Sequence, residues 1–270
     1  MKISVFYEHI LEAAKQSSMS VLDVCRTVNS YGIMGVEIED KRLLEHDGEA
    51  ISFLKQANLE ISGIYGFFDF SHKDNERDGY KIVDLAQRNG VKKVMPIPGF
   101  VEGIEKIPFI YKRKVERMIS ALTAVCSYAE KNGIMVVLED FDDKIAPYCN
   151  ISGLKYFMDH VEGLRCAFDT GNFLYSEEDS FKALPEFIDK ISHVHCKDRT
   201  WKEKEGEVPK ETIKGRKMYS CAVGSGCIKM KEIIEKIIIS GYDDYFAIEH
   251  FGSLCQLHDM KESAKWLQSF

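Results

Sequence analysis

The fold class predicted by this sequence is α/β, closed into a (β/α)8 TIM barrel, and three observations predict it. Short apolar runs alternate with longer amphipathic ones from end to end. The 270 residues suit one such barrel, which takes roughly 250. Four of the apolar runs, all in the second half, end on a carboxylate or an imidazole, where a barrel carries its polar site. An open doubly wound sheet commonly has fewer strands and a glycine-rich first turn, and no Gly-x-Gly-x-x-Gly follows the first run here.

The elements can be read in order. Residues 2–7 read as a strand and not as a signal peptide, because the apolar stretch is short and Glu8 and His9 follow at once. Further strands are expected over 34–38, 59–66, 91–97, 134–139, 164–168, 191–196 and 244–249. Helices are expected near 20–31, 46–57, 75–89, 109–132, 152–161, 179–190, 229–240 and 259–269, several of them preceded by a capping Ser, Asp or Asn. Gly32, Gly90 and Gly133 each stand between a helix and a strand, where a left-handed helix terminus is needed. No linker rich in Pro, Gly or Ser divides the chain, so 1–270 is expected to be a single domain. The longest connection runs from Asp198 to Ser225, and it reads as a loop over the barrel mouth, where such loops shape access to a site.

Composition excludes several partners. No apolar run approaches the roughly 18 residues of a membrane span, so a soluble protein with no membrane partner is expected. A net charge of -7 repels a phosphate backbone, and the basic residues are scattered apart from 202–217, itself broken by acids, so nucleic acid is a poor partner. The eight cysteines form no Cys-x-x-Cys pair and suit reduced thiols in a cytoplasmic setting. The helix near 109–132 and the 259–269 terminus leave room for a homo-oligomer.

The four strand ends are Glu139, Asp169, His195 and Glu249, separated by about 25 to 55 residues, enough for a helical return between parallel strands. Side chains alternate along a strand, so if these four point inward, Val137, Ala167, His193 and Ala247 lie beneath them. Taken singly, a strand-end carboxylate more often caps a helix or pairs with a cation, and a lone histidine more often belongs to a core. Together at one end of successive strands they predict a metal site. Three carboxylates and one imidazole favour a single hard or borderline divalent ion, Mn²⁺, Mg²⁺, Co²⁺ or Zn²⁺.

Several segments resemble the xylose isomerase-like barrels, a group of sugar isomerases and epimerases that also includes inosose dehydratase and the endonuclease IV type of DNA-repair enzyme. Gly32-Ile-Met-Gly-Val-Glu37 is similar to the family's second strand and Gly133-Ile-Met-Val-Val-Leu-Glu139 to its fifth. Phe168-Asp-Thr-Gly-Asn172 and His193-Val-His-Cys-Lys-Asp198 resemble the sixth and seventh, Val223-Gly-Ser-Gly-Cys-Ile228 the glycine turn, and Phe246-Ala-Ile-Glu249 the last strand. The resemblance implies that Glu139, Asp169, His195 and Glu249 are the metal ligands and that Glu139 and Glu249 are also the acid/base pair. It implies a metal-dependent isomerase or epimerase of a small sugar, sugar phosphate or polyol ketone, in which the ion eases removal of a proton beside the carbonyl. An inosose-type dehydratase shares that first step; a non-catalytic sugar-binding barrel is the alternative of another class. Asn172 stands where epimerases and endonucleases of the family often carry His, and Tyr219-Ser-Cys-Ala-Val-Gly224 lacks the Asp-x-His of the endonucleases. One metal is expected, and a DNA substrate is not.

Weaker signals name the substrate contacts. Asn172 can hydrogen-bond a sugar hydroxyl, and Lys197, Arg199 and Arg216 can bind a carboxylate or phosphate, although exposed loop cations are usually only solvated. Glu37 fits a family position near substrate. Phe6, Tyr7, Tyr65, Phe67, Phe100, Phe141, Trp201 and Phe251 lie near strand ends and can wall a sugar pocket. The Gly224-Ser-Gly226 turn can hold a phosphate but more often such a turn is only tight. His72 and His250 lie near the same rim without an assigned role.

Overall fold

Eight of the apolar runs pair side by side, all parallel, until the last meets the first. The computed structural model describes residues 1–44, 48–72 and 75–270. Its strands are β1 (Lys2–Phe6), β2 (Gly35–Glu39), β3 (Glu60–Phe67), β4 (Lys93–Ile97), β5 (Met135–Leu138), β6 (Arg165–Asp169) and β7 (Ile191–Cys196). Three short strands follow, β8 (Asp198–Thr200), β9 (Lys210–Glu211) and β10 (Lys217–Cys221), and then β11 (Tyr245–Ile248). The barrel order is β1-β11-β7-β6-β5-β4-β3-β2, closed between β2 and β1.

Helices fill the returns: α1 (Tyr7–Ser17), α2 (Val21–Ser30), α3 (Asp40–Leu44), α4 (Glu49–Gln56), α5 (Glu76–Arg88), α6 (Pro108–Lys131), α7 (Ile151–His160), α8 (Ser180–Phe187), α9 (Met230–Ile239) and α10 (Gln256–Leu267). Ser20 and Asn150 cap α2 and α7 by accepting the backbone N–H of Asp23 and Gly153. Gly32, Gly90 and Gly133 have φ of 84°, 71° and 65°, the left-handed conformation expected of them. Three helices differ from expectation, one of them being α3, a short helix not expected at all. Tyr7, read as the end of a strand, opens α1, which buries Tyr7, His9, Ile10, Ala13 and Ala14; Ile10 is the one large aliphatic side chain on that face, so its apolar period is faint. The helix expected from 46 is described only from Glu49, and positions 46 and 47 lie outside the described residues.

Apolar side chains fill the layer between strands and helices, including Ile10, Val24, Val28, Leu54, Val83, Leu122, Val125, Leu154, Ile234 and Met260, all fully buried. Complete burial of such side chains contributes about 1.5–3 kcal/mol each. No helix among the described residues is long and apolar enough to cross a membrane. Inside the barrel the filling is different. His193 lies in register with Ala167, His195 with Ala247 and Glu37 with Gly63, so small neighbours leave room there for polar side chains.

The long connection is folded. β8, β10 and β9 form a three-stranded antiparallel sheet at the barrel mouth, tied down by Asp198. Its Oδ2 accepts the N–H groups of Gly224 and Gly226 at 3.0 and 2.8 Å, and Oδ1 accepts that of Arg199 at 2.8 Å. The donors of the glycine turn are therefore spent on an internal carboxylate, and the turn is an anchor rather than a phosphate cradle.

Candidate metal centre and active site

Glu139, Asp169, His195 and Glu249 each offer a ligand atom, and these atoms all lie within 4.8 Å of one another. All four residues are buried. They converge because β5, β6, β7 and β11 are near neighbours in the ring and each carries its residue at the C-terminal end. His195 Nδ1 is 2.7 Å from Glu139 Oε2, 3.5 Å from Glu249 Oε2 and 3.9 Å from Asp169 Oδ2. Phe6 packs edge-on against the imidazole, 5.1 Å between centroids. Asp169 turns Oδ1 to the N–H groups of Gly171 and Asn172, at 2.6 and 2.7 Å, which directs Oδ2 into the cluster.

Asp169 Oδ2 and Glu249 Oε2 are buried and receive no hydrogen bond. Such atoms are costly unless a cation satisfies them, and three carboxylate oxygens with one imidazole nitrogen form a donor set that fits a divalent ion. Burial raises the pKa of Glu139 and Glu249, and pushes that of Asp169 up to about 6. Burial works against protonation of His195, but Glu37 and Glu139 outweigh it and raise its pKa well above the ordinary value. Lys197 lies inside the cluster, its Nζ 2.5 Å from Glu249 Oε1 and 3.3 Å from Asp169 Oδ2, and it donates to Asn172 Oδ1 at 2.6 Å. Despite burial, those carboxylates keep the ammonium charged by raising its pKa.

A family model for the xylose isomerase-like TIM barrel matches residues 25–270. The chain belongs to that family. Inosose dehydratases of Clostridium perfringens and Geobacillus thermodenitrificans are each 26% identical to it, over 152 and 186 residues. Those matches take in 55% and 66% of this chain but only 45% and 60% of the relatives, so the chain spans about half to three fifths of their length. Among solved structures, the IolI protein with a bound zinc atom superposes with a TM-score of 0.74 at 16% identity, covering 100% of this chain and 97% of that one. An L-ribulose 3-epimerase superposes with a TM-score of 0.73 at 16% identity, covering 100% and 94%. At that identity the likeness is one of fold.

Above the cluster, this xylose isomerase-like barrel opens into a cavity of 530 Å³, within the range of small-molecule sites. Phe6, Tyr65, Phe67, Phe141 and Phe251 wall it, as their places at strand ends predict, and Asn172, Lys197 and Arg199 line it too. Tyr7, Phe100 and Trp201 do not. Trp201 and Arg216, expected at the substrate, do not line the cavity: the guanidinium lies 3.8 Å from the indole centroid and pairs with Glu177 at 2.8 Å, in a separate pocket. Glu37 is displaced in another sense. It lies beneath the cavity floor, its Oε2 2.7 Å from His193 Nε2 and 3.1 Å from His195 Nε2, and it does not line the cavity. His72 pairs with Asp69 at 2.7 Å away from the cavity, and His250 is buried against His9, 4.9 Å between centroids.

Sequence reasoning missed four charged lining groups, Glu8, Glu39, Asp142 and Lys210. Glu8 accepts from Tyr65 Oη at 2.7 Å, and burial raises its pKa; its place just after the first strand was the available signal. Glu39 ends β2. Asp142 stands 3.7 Å from Arg199 Nη2 and 3.4 Å from Lys210 Nζ, and it joins Lys210 in the wall only because the mouth sheet folds back.

Proposed function

We propose that this chain is a divalent-metal-dependent enzyme that moves a proton on the carbon beside the carbonyl of a sugar or cyclitol ketone, and so isomerises or epimerises it. The pair Glu139 and Glu249 carries this reading. β5 and β11 are three positions apart in the eight-strand ring, so the two carboxylates reach the cavity floor from well-separated directions. Burial raises the pKa of both, which makes each a stronger base than a solvated carboxylate. A divalent ion held by Glu139, Asp169, His195 and Glu249 would supply Lewis acidity toward the ketone oxygen and lower the cost of removing the neighbouring proton. One glutamate takes that proton, and the other delivers a proton to the opposite face, inverting the centre. Lys197 holds Glu249 by one oxygen, and Asn172 lines the cavity with its Oδ1 accepting from Lys197 and its Nδ2 donating to the Asp140 carbonyl at 2.7 Å. The aromatic walls exclude water and pack against the apolar face of a ring.

A second reading is loss of water from an inosose-like ketone. It is favoured by the similarity to inosose dehydratases and by the hydrogen-bonded Glu8 and Tyr65 in the cavity wall, which can protonate a departing hydroxyl. Both readings begin with the same proton abstraction. The test is exchange of that proton with deuterated solvent, followed by NMR on a panel of ketoses and inososes with Mn²⁺ present. Exchange with inversion supports epimerisation, and exchange with water loss supports dehydration. Exchange undiminished in Glu139→Gln and Glu249→Gln rejects the acid/base pair, and absence of exchange on every compound leaves a sugar-binding barrel.

A further inference from the structure

Below the cavity floor, polar side chains form a hydrogen-bonded column through the barrel. At its lower end, Asp244 precedes β11 and accepts from Lys93 Nζ at 3.0 Å; Lys93 is the first residue of β4. Lys93 Nζ is also 3.0 Å from His193 Nδ1. His193 Nε2 is 2.7 Å from Glu37 Oε2, and the same oxygen is 3.1 Å from His195 Nε2. Lys93, His193, Glu37 and His195 are all buried, and Asp244 alone reaches solvent.

The directions of these bonds follow from what each group can donate. An ammonium only donates, so His193 Nδ1 accepts from Lys93 and carries its hydrogen on Nε2. That hydrogen goes to Glu37. An ionised carboxylate only accepts, so His195 Nε2 must donate to it as well. Nδ1 of His195 is then the nitrogen turned toward Glu139, Asp169 and Glu249. A buried lysine costs several kcal/mol unless paired, and barrel interiors are ordinarily filled by apolar layers that carry no such cost. Packing alone therefore gives no reason for Lys93.

We infer that Lys93, set by Asp244, is a positioning residue for His195: through His193 and Glu37 it fixes the orientation of the imidazole and reserves Nδ1 for the metal. Outer partners of this kind orient metal-bound histidines in general, but here the anchor is three side chains away, at the opposite end of the barrel. The inference rests on the reading of Glu139, Asp169, His195 and Glu249 as a metal centre.

Two measurements test it. Imidazole nitrogen NMR of the metal-free protein should find the His193 hydrogen on Nε2; a hydrogen on Nδ1 overturns the column as drawn, whatever the metal does. Calorimetric titration with Zn²⁺ should find Lys93→Met binding on the order of tenfold more weakly than the wild type. Asp244→Asn, at the solvent-exposed end, should weaken Zn²⁺ binding in the same direction and keeps the test open if Lys93→Met fails to fold. Folded variants with unchanged Zn²⁺ affinity overturn the inference. A wild-type protein that takes up no Zn²⁺ while His193 carries its hydrogen on Nε2 instead removes the metal-centre reading on which the inference stands.

Discussion

Lys197 Nζ lies 2.5 Å from Glu249 Oε1, an ammonium buried among the carboxylates that are proposed to hold a metal. It neutralises part of their charge and contacts Asp169 as well. Lys197→Met therefore leaves two buried carboxylates without their cation and should cost the metal-free protein about 3–5 kcal/mol. A divalent ion can take over that neutralisation, and any ligand at a hundred times its Kd adds about 2.7 kcal/mol. Thermal unfolding with and without Mn²⁺ should thus show a larger metal-induced rise in Tm for the variant than for the wild type. Equal rises would mean that the ion and Lys197 do not share these carboxylates.

Ala247 lies in register with His195 on the neighbouring strand and is fully buried. Its small size leaves the space that the imidazole occupies. Ala247→Leu should overpack this layer at a cost of about 1–3 kcal/mol and should weaken metal binding, because the ring is forced off its ligand position. A metal titration of the folded variant checks this, and an unchanged affinity would show that the site tolerates movement of His195.

Asp198 binds four backbone N–H groups of the mouth sheet and glycine turn, that of Ile228 the longest at 3.4 Å. Asp198→Ala orphans buried donors at about 1–3 kcal/mol for each one that water cannot reach. Stability should fall, and hydrogen exchange should accelerate across 198–228 ahead of the barrel strands. A Cβ at Gly226 would collide with the same carboxylate and with the Arg199 carbonyl, so Gly226→Ala should reproduce the effect. Exchange that accelerates uniformly through the chain would argue against a local anchor.

His9 gives a pH dependence away from the proposed ligands. Its ring is fully buried and Nε2 accepts the His250 N–H at 3.1 Å. Burial lowers its pKa below the ordinary 6.5, Glu12 and Glu8 oppose the shift, and Lys197 adds to it; the His250 ring packs alongside. With the folded value depressed, the unfolded chain takes up the proton first. His9 then has no effect well above 6.5, and stability falls as the pH drops below 6.5 until the folded value is passed. Urea unfolding at about pH 7 and about pH 5 should show this loss, and His9→Gln, which keeps an acceptor near the Nε2 position, should show less of it. An identical slope in the variant would place the proton uptake elsewhere.

Much of the fold and the four-residue cluster was legible in one dimension, because both follow from local rules. Apolar runs of strand length punctuated by capping residues and left-handed glycines mark β/α units. A polar residue at the end of a buried run stands out against its own neighbours, as Glu139 does after Met-Val-Val-Leu. Side-chain alternation also placed His193 beneath His195. Helix α1 escaped because its buried face carries one large aliphatic side chain, Ile10, among Tyr7, His9, Ala13 and Ala14.

What only the tertiary structure decided is which polar groups face the cavity and which are spent on one another. Glu37 and Lys197 both looked like substrate contacts, yet one lies under the floor between two histidines and the other lines the cavity. Trp201 and Arg216 sit in the mouth connection but stack on each other in a separate pocket. Lys93, one more lysine at a strand start in the sequence, meets His193 a hundred positions later. The periods of strand and helix are written into consecutive residues, so the sequence determines the barrel and the ends of its strands. Hydrogen bonds and ion pairs depend on distances of a few ångströms between residues far apart in the chain, and these exist only once the ring has closed.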